Sequence, residues 1–130
     1  MAPLNRVFIV IGGLSLTTTT ILSAYGFHGL ADVLSPEKRQ SWEWAVQMQA
    51  YHSLGLILVA ILAHQLGGPL LLKVAGGLMI LGMIIFSGLI YAESLGAPEA
   101  VGEIVPMGGT CFMIAWAAVA LAAFRGVARS

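Results

Sequence analysis

The chain has 130 residues, of which 58% are hydrophobic and 9% charged, and its six basic and six acidic side chains cancel. A water-soluble domain of this size needs more polar surface than that, and no net basic field is present to hold nucleic acid or a polyanion. The single Cys111 excludes an internal disulfide and any Cys-x-x-Cys zinc or redox site.

After a short polar lead to Arg6, Val7 to Tyr25 is apolar except for Ser15, Thr17 to Thr20 and Ser23. Hydroxyls on a helix can return their hydrogen bonds to carbonyls one turn back, so such a run is tolerated in lipid. A cleaved signal peptide is the alternative. The length of the segment and the poor small-x-small pattern around Leu22, Ser23 and Ala24 favour a retained first span over about 7–26.

Gly26 to Leu34 leaves the membrane, and Ser35-Pro36-Glu37 has the order of a helix start: hydroxyl cap, proline in the first turn, acid near the N-terminus. The helix predicted from Pro36 to Leu66 would be about 46 Å long, more than a hydrocarbon core of about 30 Å. Its first turns, with Trp42 and Trp44, are therefore expected outside the core, the tryptophans at headgroup level, ahead of a second span over 45–66. Gly67-Gly68-Pro69 ends it and permits a tight reversal. Val74 to Tyr91 holds no formal charge and anchors a third span over 70–92. Glu93 to Glu103, with Gly96, Pro98 and Gly102, reads as a loop, and a fourth span covers 105–124. The expectation is an all-α four-helix transmembrane bundle, a single integral membrane domain over 1–130, with an interfacial helical extension before the second span.

Threaded this way, Arg6, Lys73, Arg125 and Arg129 share one side with no acid, and Lys38 and Arg39 share the other with all six acids. The basic excess predicts both termini in the cytoplasm. Helix packing in lipid relies on small residues, which Gly76, Gly77, Gly82 and Gly88 and the stripe Ala115, Ala118, Ala122 supply.

Counting rises, His52 and Cys111 lie at a common depth, about 22 and about 21 Å from the inner side, with His28, Glu93 and Met107 further out. Imidazole, thioether and thiol together suit copper or a haem iron, which makes His28, His52, Met107 and Cys111 metal candidates. No pair has ligand spacing, so a structural polar cluster is the plainer expectation. Transport is a further alternative. It is disfavoured because every carboxylate falls at an outer end or loop rather than within a span.

Gly26-Phe27-His28-Gly29-Leu30, Tyr51-His52-Ser53-Leu54, Phe86-Ser87-Gly88-Leu89-Ile90-Tyr91 and Pro106-Met107-Gly108-Gly109 resemble, in order and spacing, motifs of the domain of unknown function 423 family. It is also called uncharacterised protein family 0382, and eukaryotic relatives are named transmembrane protein 256. The chain departs from the family pattern at Phe27, Leu89 and Met107. The resemblance covers nearly the whole chain and implies a small multi-pass inner-membrane protein, with no cofactor or reaction attached. It singles out His28, Tyr51, His52, Ser87, Gly88, Tyr91, Pro106, Gly108 and Gly109. A polar cluster of His28, Tyr51, His52, Ser87, Tyr91 and Glu93 is then the candidate site, with Gly88, Pro106, Gly108 and Gly109 as helix-packing positions. The functional expectation is a non-enzymatic membrane component in the lipid bilayer, acting with a second copy or another membrane protein. Metal, haem or quinone binding at the outer cluster is the rival.

Overall fold

A computed structural model describes residues 1–129, and the side chains of residues 127–129, Arg129 included, lie outside the described set with Ser130. Helix α1 (Pro3–Ala24) runs into a wide π turn, Tyr25–Gly29, and α2 spans Pro36–Gln65. Helix α3 (Leu70–Gly82) continues through a π segment, Met83–Gly88, into α4 (Leu89–Ser94), so the two form one rod. A 3₁₀ turn, Glu99–Glu103, leads into α5 (Val105–Arg129). The architecture is an all-α four-helix bundle, and all four rods are long and apolar enough to cross a membrane.

The punctuation follows local chemistry. Ser35 Oγ accepts from the Lys38 N–H at 3.3 Å, with Pro36 and Glu37 completing the start of α2. Gly67 (φ +77°) and Gly68 (φ +72°) take the left-handed conformation that ends α2, and the Gly68 N–H donates to Ala63 O at 2.7 Å. Pro69 then precedes α3, and the chain has reversed.

Helix α1 lies along α2, the α2–α3 hairpin forms the middle of the bundle, and α5 packs on α3. Closeness is bought with glycine. Gly12 faces Ile57 and the Ser53 carbonyl, Gly76 faces the Phe8 ring, and Gly82 faces Phe112 and the Gly108 carbonyl, each without room for a Cβ. Ala115, Ala118 and Ala122 are buried as a stripe on α5. Gly77 packs against nothing within 4 Å.

One detail differs from the sequence expectation. Trp42 is not a headgroup anchor: it is 2% exposed, whereas Trp44 is 55% exposed. The cause is the π turn at the end of α1. The Leu22 carbonyl at the entry to that turn takes the Tyr25 N–H and has a second lone pair to offer. The Trp42 indole N–H donates to Leu22 O at 2.9 Å, while its ring packs against Tyr91 at 4.7 Å and Tyr25 at 6.2 Å. Gly26 gives it room, since a Cβ there would overlap the indole.

Candidate functional site

Polar side chains on α1, α2 and the third rod meet in one seam. Gln49, in the middle of α2 and 8% exposed, donates through Nε2 to Ser15 O at 3.2 Å and to Ser15 Oγ at 3.1 Å. Its Oε1 accepts from Tyr91 OH at 2.8 Å. Ser53, one turn along, lies 2.6 Å from both Ser15 Oγ and Gln49 O, and 3.4 Å from Met83 Sδ. Ser87 Oγ donates across the rods to Ala45 O at 2.7 Å. Among the described residues, no enclosed side-chain nitrogen or oxygen lacks a partner, so the seam is internally saturated.

The second π segment explains how the third rod contributes so regularly. Met79, Met83, Ser87 and Tyr91 recur every four residues, and at about 100° per residue that spacing drifts about 40° per step in an α-helix. Over the whole run the drift would be about 120°, and the extra residue of a π bulge takes out about 100° of it. Met83, Ser87 and Tyr91 thus all reach α2 side chains or carbonyls.

His52 belongs to a separate joint on the α5 side. Its Nδ1 lies 2.6 Å from Met48 O, and its Nε2 lies 3.0 Å from Trp116 Nε1. A carbonyl can only accept and an indole N–H can only donate, so His52 carries its proton on Nδ1 and accepts at Nε2. The ring stacks on Phe112, with centroids 3.5 Å apart and planes 13° from parallel.

The other candidates are dispersed. His28 is exposed, edge-on to Phe27 at 5.0 Å, in a groove with Thr20, Ala24 and Val46. Tyr51 is 57% exposed and Met107 61%. Glu93 places its carboxylate over Gly102, where a Cβ would stand 2.7 Å from Oε2. Cys111 is half-buried. Among the described residues no three His, Cys, Asp or Glu side chains come together as a metal-binding group. Of the packing positions, Gly108 faces the Phe86 backbone N–H, with Cβ room closed at 2.6 Å. Pro106 sits in the first turn of α5, where its missing N–H costs nothing. Gly88 and Gly109 do not mark a close approach: a Cβ on Gly88 would meet only Met83 O at 3.9 Å, and one on Gly109 nothing within 4 Å. The shared candidates therefore split into a seam holding Ser87 and Tyr91, a joint holding His52, and isolated outer residues.

Sequence reasoning missed Ser15, Gln49, Trp116 and the inward turn of Trp42. A usable signal was present: Gln49 falls at helical spacing with Ala45, Ser53, Leu56 and Ala60, all small or apolar.

A family model described as protein of unknown function (DUF423) matches residues 22–109, a stretch that includes Trp42, Gln49, His52, Ser87, Tyr91 and Gly108. The chain belongs to this family. Ser15, Phe112 and Trp116 lie outside the matched stretch. The chain is 38% identical over 120 residues to the UPF0382 membrane protein YwdK of Bacillus subtilis, covering 92% of this chain and 98% of that one. It is 35% identical over 124 residues to the UPF0382 membrane protein SH2409 of Staphylococcus haemolyticus, covering 94% and 98%. A UPF0382 membrane protein of Staphylococcus epidermidis is 34% identical over 122 residues, covering 92% and 97%. No solved structure matches the chain. With relatives named membrane proteins and four apolar rods, this DUF423 chain is a multi-pass membrane protein.

Proposed function

We propose that the chain is a non-enzymatic component of the cell inner membrane, with both termini cytoplasmic, that works by lateral association with a second copy or with another membrane protein. One observation carries the reading: the first rod turns a small-residue face away from its own bundle. At about 100° per residue, Val10, Gly13, Thr17, Thr20 and Ala24 fall opposite Ser15, the α1 residue that holds the polar seam. Gly13 has nothing within 4 Å of a Cβ position, and Thr17 and Thr20 bond carbonyls of their own helix at 3.1 and 3.2 Å. Only 17% of the most apolar part of this rod is buried, against 50% in α2. Between Gly13 and Ala24 the face carries only glycine, alanine and self-bonded threonines, with Val10 as its one larger apolar side chain, and so admits another helix backbone closely.

The seam's polar side chains favour a structural role for it, because Ser15, Gln49, Ser53, Ser87 and Tyr91 are already paired within the chain. Metal ligation at His52 would require its Nε2 to release Trp116, and His52 belongs to no group of three His, Cys, Asp or Glu side chains among the described residues.

Cysteine scanning along α1 in native membranes, in a Cys111→Ser background, tests the proposal. Gly13→Cys, Thr17→Cys and Thr20→Cys are expected to cross-link between polypeptides, and Leu14→Cys, on the flank, much less. A flat cross-linking profile, a monomer by light scattering in mild detergent and no copurifying membrane protein would together remove lateral association. A bound metal or a visible chromophore in gently purified protein would replace it with the cofactor alternative.

A further inference from the structure

At the end of the bundle opposite the six acids, a cleft of about 470 Å³ opens between the start of α1 and the α2–α3 reversal. Leu4, Asn5, His64, Gly67, Gly68 and Lys73 line it. Three independent features of the cleft favour an anion. Helix α1 begins here at Pro3 with Ala2 as its cap, and no side chain caps the first turn. The Leu4 and Asn5 N–H groups precede the first intrahelical donor, Arg6, and carry the positive end of the helix dipole. Lys73 folds along the reversal, its Cε 4.0 Å from where a Cβ on Gly68 would stand.

Asn5 is the feature that points to a ligand. It is 4% exposed, yet its amide makes no hydrogen bond to any described residue. No fully enclosed polar side-chain atom is unpartnered, so the little surface Asn5 keeps lies at its amide tip, on the floor of the cleft. That tip has donor and acceptor capacity left over for whatever occupies the cleft. All Asp and Glu residues lie between Asp32 and Glu43 or between Glu93 and Glu103, so no Asp or Glu side chain lies at this end to compete for the cation.

We infer that this cleft binds a phosphate group, with the α1 N-terminal amides and the Asn5 amide N–H as donors and Lys73 as counter-charge. The group is that of an anionic phospholipid headgroup or of free phosphate, and a cleft at the end of four rods long enough to cross a membrane is open to either source.

The test uses the full-length protein in mild detergent. Native mass spectrometry after exchange into a mixture of phosphatidylglycerol and phosphatidylcholine is expected to retain phosphatidylglycerol, and the thermal midpoint to rise with that lipid. Retention by Lys73→Gln is expected to fall about fivefold, the scale of one basic group at a charged membrane surface. Asn5→Asp, which keeps the shape and adds a negative charge, should abolish it. Lys38→Gln, at the opposite end, should leave it unchanged. Inorganic phosphate alone, added without lipid, separates the sources: protection by phosphate with no lipid preference assigns a free-anion site, and protection by phosphatidylglycerol alone assigns the headgroup. Lys73 is exposed, so its variant remains informative if Asn5→Asp fails to fold. Equal retention by the wild type, Lys73→Gln and Lys38→Gln, or no protection by either probe, overturns the inference.

Discussion

Replacing Gln49 with leucine tests whether the seam is a cooperative clamp or an incidental set of contacts. Gln49 links α1 through Ser15 and α4 through Tyr91, so Gln49→Leu removes two inter-rod connections. Hydrogen bonds between helices in lipid average about 0.6 kcal/mol and reach about 1.7, so the two together are worth about 1–3 kcal/mol. Ser15 keeps its bond to Ser53, whereas the Tyr91 hydroxyl is left without a partner, adding about 1 kcal/mol. Tyr91→Phe should cost about 1 kcal/mol by leaving Gln49 Oε1 unpaired. The double variant leaves neither orphan, so its cost should fall short of the sum by about 2 kcal/mol. Reversible unfolding in mixed detergent micelles gives all four corners of the cycle, and tryptophan fluorescence reports locally, since Trp42 packs on Tyr91. Additivity to within about 0.3 kcal/mol would refute the coupling and with it the saturated-seam account.

Neighbouring glycines should respond oppositely. Gly108→Ala, whose Cβ would meet the Phe86 backbone N at 2.6 Å, is expected to lose about 1–3 kcal/mol, while Gly109→Ala, with nothing within 4 Å, should stay within about 0.5 kcal/mol by the same unfolding assay. His52→Phe preserves the stack on Phe112 but strips the Trp116 indole of its acceptor, so a loss of about 1 kcal/mol and a shift in Trp116 emission, read in a Trp42→Phe, Trp44→Phe background, are expected. An unchanged spectrum would mean that the imidazole does not hold that indole. A reporter fused after Ser130 should be active only in the form that reads the cytoplasm, as the grouping of Arg6, Lys73 and Arg125 away from every acid requires, and a periplasmic signal would reverse the orientation.

The rods and their ends were legible in the sequence because each rests on short-range physics. Uninterrupted apolarity from Val74 to Tyr91 marks a span, Ser35-Pro36-Glu37 starts a helix, and Gly67-Gly68-Pro69 reverses one. Relative height along the rods was legible as well, since rise per residue is nearly constant and His52 does lie level with Phe112, the neighbour of Cys111. Azimuth was not. His52 and Cys111 were placed at one height, but height does not say which way a side chain points. His52 turns to Phe112 and Trp116, one residue and five residues beyond Cys111 on α5. Facing is decided by packing, and here packing is decided by glycines whose value lies in what sits opposite them: Gly108 is closed by Phe86, Gly109 by nothing.

The π turns were hidden for a related reason. A wide turn has no composition of its own, and its cost is recovered only through partners on other rods. Beside the first, the Leu22 carbonyl takes the Trp42 indole N–H as well as the Tyr25 N–H, and the second rotates Met83, Ser87 and Tyr91 onto α2. Each irregularity is thus matched by a polar contact to α2, which is the rod with the largest buried share. In lipid, where apolar contact between helices gains little over contact with acyl chains, such directional pairs fix the rotation of each rod. The chain accordingly places its π turns in the first and third rods, the two that give Ser15, Leu22, Ser87 and Tyr91 to α2, and holds α5 by the Gly82, Gly108 and His52 contacts instead.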